Sequence, residues 1–150
     1  DSIMRNQQDR LLGKEVRKVV KIDGILEEKM ITIDSGFMDS EWNFLSEFDL
    51  NKPGFVGGIE ILREGNNVRY QPKANQTYLL EFLEYQFNDQ QEIQSVAGAF
   101  KDQKASMLYQ STRSFEFNFE NELIVDYIIS GYQKIVLKDT VLFEITGRVQ

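Results

Sequence analysis

The sequence contains neither cysteine nor histidine. Within these residues that excludes disulfides, thiolate clusters, thiolate or imidazole metal ligands, and every serine–histidine or cysteine–histidine mechanism. Proline occurs only twice and tryptophan once. No apolar run approaches the roughly 18 residues that a membrane-spanning helix needs; the runs are short, such as Leu123-Ile124-Val125. Basic residues are in deficit, 17 against 24 acidic, for a net charge of -7. That balance argues against a general nucleic-acid binder, whose affinity comes from neutralising phosphates.

What is present suits one globular domain over residues 1–150. Hydrophobic residues make up 41% and aromatics 12%, enough for an ordinary core. The first 21 residues run against the overall charge. They carry Arg5, Arg10, Lys14, Arg17, Lys18 and Lys21 against Asp1, Asp9 and Glu15. Such a start could meet an anionic surface. A solvated helix face followed by an exposed edge strand is the favoured reading, because lysine and arginine discourage edge-to-edge pairing.

Residues 2–13 read as a helix. Ile3, Met4, Gln7, Leu11 and Leu12 fall on one side, and Gly13 is a plausible stop. Residues 15–21 and 25–33 read as a hairpin about Asp23-Gly24, a strong turn signal, closed by Asp34-Ser35-Gly36. Residues 39–50 read as a second helix capped by Asp39 or Ser40, with Trp42, Leu45 and Phe48 as its apolar stripe. Asn51-Lys52-Pro53-Gly54 ends it, because proline cannot continue a helix.

Beyond Pro53 the chain reads as β. Residues 55–63 form a strand, with Gly57-Gly58 as a bulge, and 68–71 return after a turn. Residues 78–87 fit either a strand or a helix; a strand is favoured, because Asn88-Asp89 leads into residues 93–100 as a hairpin partner. The clearest alternation is Phe115-Glu116-Phe117-Asn118-Phe119-Glu120, which sends three phenylalanines one way and three polar groups the other. Residues 123–129 look buried on both faces. Ser130-Gly131 is read as a kink or turn before residues 132–137, and Lys138-Asp139-Thr140 as the turn into 141–149. About eight or nine short strands, two helices and closely spaced turns define an α+β domain: a curled, half-barrel-like antiparallel sheet with an N-terminal helix and a second short helix packed on it.

The stretch from Asp39 through Trp42 and Phe48 to Asn51-Lys52-Pro53 stands between a strand pair and a β-rich half containing Tyr109-Gln-Ser-Thr-Arg113-Ser-Phe-Glu-Phe117 and ending Ile145-Thr-Gly147-Arg-Val149. In that order it resembles a family of uncharacterised envelope lipoproteins of Bacteroidetes. The resemblance implies a location, not a chemistry: a periplasmic or outer-membrane-anchored ectodomain, held by a lipidated cysteine ahead of Asp1. It marks Trp42, Asn51 and Pro53 as family-typical positions without a known role. Packing is their favoured use; a partner-binding surface is the alternative.

No chemical constellation assembles in the sequence. Asp34, Asp39, Glu41, Glu47 and Asp49 are a dense carboxylate set, but without the spacing of a calcium loop, and read as a solvated face. Gly54-Phe-Val-Gly57-Gly58 lacks the lysine and hydroxyl of a phosphate loop. No catalytic residue, metal or cofactor is expected. The favoured function is a non-catalytic envelope module that binds a protein or surface component through its sheet edge or loops, with no nucleic-acid partner. The alternative is a carrier or sensor of an apolar or amphipathic ligand in a cavity lined by Phe82, Phe115, Phe117, Phe119, Tyr127 and Phe143, although a solid core filled by such rings under the two helices is the favoured packing. A carboxylate-dependent hydrolase comes last.

Overall fold

The computed structural model describes residues 2–42, 58–74, 80–103, 109–135 and 138–150. Two helices, α1 (Ser2–Leu11) and α2 (Ser35–Glu41), accompany nine strands. These are β1 (Glu15–Ile22), β2 (Ile25–Thr32), β3 (Ile59–Glu64), β4 (Asn67–Pro72), β5 (Leu80–Phe87), β6 (Ile93–Gln103), β7 (Tyr109–Glu120), β8 (Leu123–Ile135) and β9 (Val141–Val149). All nine join one antiparallel sheet in the order β2-β1-β9-β8-β7-β6-β5-β4-β3. The sheet is curled and does not close into a barrel. From β3 to β9 it is a simple meander, and the first hairpin lies alongside β9, with Val16 opposite Val149 and Ile22 opposite Phe143. The predicted α+β architecture and strand count are therefore observed.

Local chemistry explains the turns. Asp23 and Gly24 adopt φ of 48° and 86°, and Asn121 and Glu122 adopt 51° and 65°. Paired left-handed residues make the two-residue hairpin turn whose twist matches the flanking strands. Gly13, at φ 86°, stops α1 as expected, and its amide donates to the Ile33 carbonyl.

Three register shifts bend the ladders, between Leu80 and Phe82, Gln86 and Phe87, and Asn118 and Phe119. Each adds local twist, and together they help the sheet curl over the helices.

The core lies on the inner, helix-covered face. Phe115, Phe117 and Phe119 are all buried there, as their alternation predicts, beside Ile124, Tyr127 and Ile129. Leu11 of α1 and Phe37 and Met38 of α2 close over them, followed by Trp42. Inner-face glycines leave room for rings on the next strand: Gly98 opposite Phe115, Gly131 opposite Phe143, Gly147 opposite Tyr127. A Cβ on Gly98 would lie 2.7 Å from the Phe115 ring, and one on Gly147 would overlap Cε1, Cζ and the hydroxyl of Tyr127. This pairing of a bare backbone with a neighbouring ring is a known way of stabilising glycine in a sheet.

Several expectations need correction. Asp34 does not close a hairpin. It caps α2, accepting a bond from the Phe37 amide at 2.7 Å, so the cap lies five or six residues earlier than the expected Asp39 or Ser40. Trp42 ends that helix as its C-cap, and the rest of the expected 39–50 stripe lies outside the described residues, as do residues 55–57. Ser130-Gly131 is neither kink nor turn: β8 runs through both, because Gly131 gives way to the Thr112 carbonyl on β7 and to the Phe143 ring on β9. β8 is not buried on both faces either, since its outward Ile128 is exposed. The basic strand β1 is not an edge; β2 covers it.

Candidate functional site

A recess of about 450 Å³ opens on the inner face beside the end of α2. Ile129 of β8 and Phe143 and Ile145 of β9 give it apolar walls. Lys18, Ser40, Glu41, Arg113 and Gln133 supply polar groups around them. Its size falls in the range of small-molecule sites, about 300 to 1,000 Å³, but it is open and more polar than most of them, with three apolar residues among eight.

The strand register puts these groups together. Lys18 stands opposite Gly147 on β9, and Arg113 stands opposite Gly131 on β8. The space above both glycines is taken by rings of the neighbouring strands, Tyr127 over Gly147 and Phe143 over Gly131, so each cation stands beside an aromatic wall. Lys18 Nζ reaches the Glu41 carboxylate at 2.6 Å, with the two side chains 17% and 8% exposed. Arg113 lies over the Phe100 ring, 5.5 Å from its centroid. The recess therefore carries a sheltered ion pair and a second cation on an apolar base.

Behind the ion pair lie two buried polar atoms with no hydrogen-bond partner among the described residues, Trp42 Nε1 and the Tyr127 hydroxyl. Trp42 meets Tyr127 edge to face at 6.0 Å, and Tyr127 stacks on Phe117 at 5.3 Å. Burial pushes the Tyr127 phenol well above its ordinary pKa, and the Glu41 charge pushes it further; the neighbouring Trp42 indole N–H opposes the rise without completing a bond. The phenol stays protonated throughout the physiological range.

An expected result follows for Tyr127→Phe. It removes an unsatisfied hydroxyl and keeps the ring, so unfolding stability at neutral pH should hold or rise, by no more than about 1 kcal/mol. The pH dependence is the sharper readout. The folded phenol holds its proton above pH 10 while the unfolded one releases it, so the unfolded state binds fewer protons and stability falls as pH rises. Urea unfolding curves taken from neutral pH to beyond about pH 10 should show a shallower alkaline loss in the variant. Tyr85, raised by burial and by Tyr70, leaves a remainder of the same sign in both proteins.

The sequence-predicted residues divide. Phe115, Phe117, Phe119 and Tyr127 are solid core, and of the proposed cavity set only Phe143 lines the recess. Phe82 is on the wrong face. It alternates with the inward Leu83, while the bulge between Leu80 and Phe82 brings Leu80 inward; Phe82 lies 4.2 Å under the Arg69 guanidinium, which also bonds Glu84 at 3.1 Å. Trp42 is fully buried, a packing residue rather than a contact surface. Asn51 and Pro53 lie outside the described residues. Of the acidic set, Asp34 is a helix cap and Glu41 is the partner of Lys18; Glu47 and Asp49 lie outside the described residues. No group of three or more carboxylates able to hold a metal occurs among the described residues.

Sequence reasoning missed Lys18, Arg113, Gln133 and Ile145 as a set. Only the β1–β9–β8–β7 neighbourhood unites them, and no spacing along the chain reports it. No helix among the described residues is long and apolar enough to cross a membrane. No family model, curated protein or solved structure matches the chain.

Proposed function

We propose that this is a non-catalytic binding protein of the cell envelope that carries or senses a small amphipathic molecule in the inner-face recess. The observation that carries the reading is the recess itself, with apolar Ile129, Phe143 and Ile145 set beside Lys18, Glu41 and Arg113. An acyl or aryl body fits against the walls, and a polar or anionic head fits the rim cations. The reading is non-catalytic because the recess sets no nucleophile against a free base: Ser40 Oγ donates to the Gly36 carbonyl, and Lys18 is paired with Glu41. The envelope location rests on the sequence resemblance around Trp42 and Gly147.

A fluorescent fatty acid with a carboxylate head tests it. Saturable one-to-one binding is expected, with a change in emission of the single tryptophan, Trp42, which directly follows Glu41. Ile145→Trp, which fills the recess, should abolish binding while leaving the unfolding curve cooperative. No saturable binding of long-chain carboxylates, lysophospholipids or long-chain alcohols, or binding indifferent to Ile145→Trp, would remove the reading.

A protein- or surface-binding module is the second reading. It is favoured by exposed apolar residues at one end of the sheet, where Ile22, Ile25, Leu26, Val141 and Leu142 cluster around the first hairpin turn.

A further inference from the structure

We infer that the β2 edge is a self-recognition surface, on which a second copy of this chain adds its own β2 in antiparallel register about a two-fold axis at Glu28. Among the described residues β2 pairs only with β1, and seven of its eight residues are exposed. The edge has no proline and no register shift against β1, and it leaves Ile25, Leu26 and Met30 in the open; its one device against pairing is the charged centre Glu27-Glu28-Lys29.

The register is dictated by the hairpin. Its two-residue turn makes Ile22 and Ile25 a hydrogen-bonded pair, so residues 25, 27, 29 and 31 spend their backbone groups on β1. Residues 26, 28, 30 and 32 direct theirs outward. A two-fold pairing must set outward residues opposite outward residues. Centring on Glu28 places Leu26 opposite Met30 on the outer face. On the inner face it places Ile25 opposite Ile31 and Glu27 opposite Lys29, each twice over. The one like-charged meeting is Glu28 with itself, and Arg17 already holds that carboxylate in an ion pair and hydrogen bond. Sliding by one step in either direction sets Lys29 against Lys29 or Glu27 against Glu27. Glu27 and Lys29 now bond each other along one strand at 3.1 Å, and pairing exchanges that contact for the same contact between copies. Charge and hydrophobic complementarity thus favour this register over its two neighbours, and they point to one partner, the chain itself. A single short edge lies at the small end of interface sizes, below about 1,200 Å², so the dimer is weak and concentration-dependent. The inference does not depend on the recess.

Sedimentation velocity on the whole chain, from low micromolar to about 1 mM, should show a reversible monomer–dimer equilibrium. Glu27→Lys and Lys29→Glu should each weaken it by roughly tenfold or more, because each sets like charges face to face. An equimolar mixture of the two variants should restore it, since both cross-pairs are then opposite in sign. The absence of native cysteine permits a second readout. In a hydrogen-bonded antiparallel pair the Cα atoms are about 5.5 Å apart, within disulfide reach. Under mild oxidation Glu28→Cys should cross-link to itself; Leu26→Cys and Met30→Cys should not do so alone, but should cross-link with each other. A chain that stays monomeric throughout, a dimer indifferent to both charge reversals, or a mixture that fails to re-form would each overturn the inference.

Discussion

Gly147→Val is expected to be among the most damaging single substitutions in the described part of the chain, at a cost of about 3 kcal/mol or more. Two effects compete at this position. Glycine in a strand is ordinarily a weakness, and replacing it with a residue that has a Cβ gains about 0.5 to 1 kcal/mol where space allows. Gly147 has no left-handed backbone to protect, so that gain would be available. Space decides the other way. The Tyr127 ring packs directly against the Gly147 backbone, and any Cβ would overlap the hydroxyl end of that ring. The ring cannot lift, because Phe117 stacks on it and Trp42 abuts its edge. Overpacking of a close-packed core typically costs 1 to 3 kcal/mol, and here an entire ring is displaced. At roughly 2 to 4 °C per kcal/mol for a chain of this size, Tm should fall by about 6 to 12 °C. Alanine should lower it less, but still lower it. Tyr127→Leu should make the Gly147→Ala change nearly free, because the smaller side chain clears the backbone. A thermal-denaturation double-mutant cycle measures that coupling. Equal losses from Gly147→Ala with and without Tyr127 would contradict the account.

The fold class was legible because it is written in local signals: Asp23-Gly24, the phenylalanines at 115, 117 and 119, and Gly13 after an amphipathic start. Each depends on neighbours within a few residues, where backbone geometry is decided. Lateral strand contacts carried the errors. Gly131 looks like a break along the chain; across it, the Thr112 carbonyl and the Phe143 ring occupy the place of its side chain. Phe82 alternates with Leu83 and Tyr85, so the strand period already puts it on the other face; the bulge between Leu80 and Phe82 brings Leu80, not Phe82, into the core. Asp34 was read as a turn residue because the short α2 that it caps offers only Phe37 and Met38 as buried positions. The recess was illegible for the same reason. Lys18 and Gln133 are ordinary charged and polar positions until β1, β9 and β8 lie side by side.

Gln7 shows how a polar residue can pass as part of an apolar stripe, and its removal should cost nearly as much as the change at Gly147. Its offset in α1 places it with Leu11 on the inward side, and it is fully buried. Burial of a primary amide is tolerable only when both ends are bonded. Both are: Gln7 Nε2 donates to the Glu122 carbonyl at 2.8 Å, and Gln7 Oε1 accepts from the Ile124 amide at 2.9 Å. One partner lies in the β7–β8 turn and the other just after it at the start of β8, and Glu122 holds a left-handed φ of 65° that a side chain with a Cβ resists. The helix thus fastens the turn that sets the register of the two longest strands. Gln7→Leu keeps the bulk and strips both bonds. The Glu122 carbonyl retains Asn6 at 3.3 Å, but the Ile124 amide is left buried and unpaired. The expected loss is about 2 to 4 kcal/mol, with hydrogen exchange accelerating first at Ile124. Gln7→Glu separates bonding from bulk. At neutral pH its carboxylate still accepts from Ile124 but faces the Glu122 carbonyl with no proton to give. Protonated, it regains the full pattern. The folded state therefore raises the pKa of the new carboxyl above its unfolded value of about 4.3. Its stabilising contribution is complete below that value and is lost as pH rises through the folded one. Relative to the unmodified chain, Gln7→Glu should recover in acid, whereas Gln7→Leu should not.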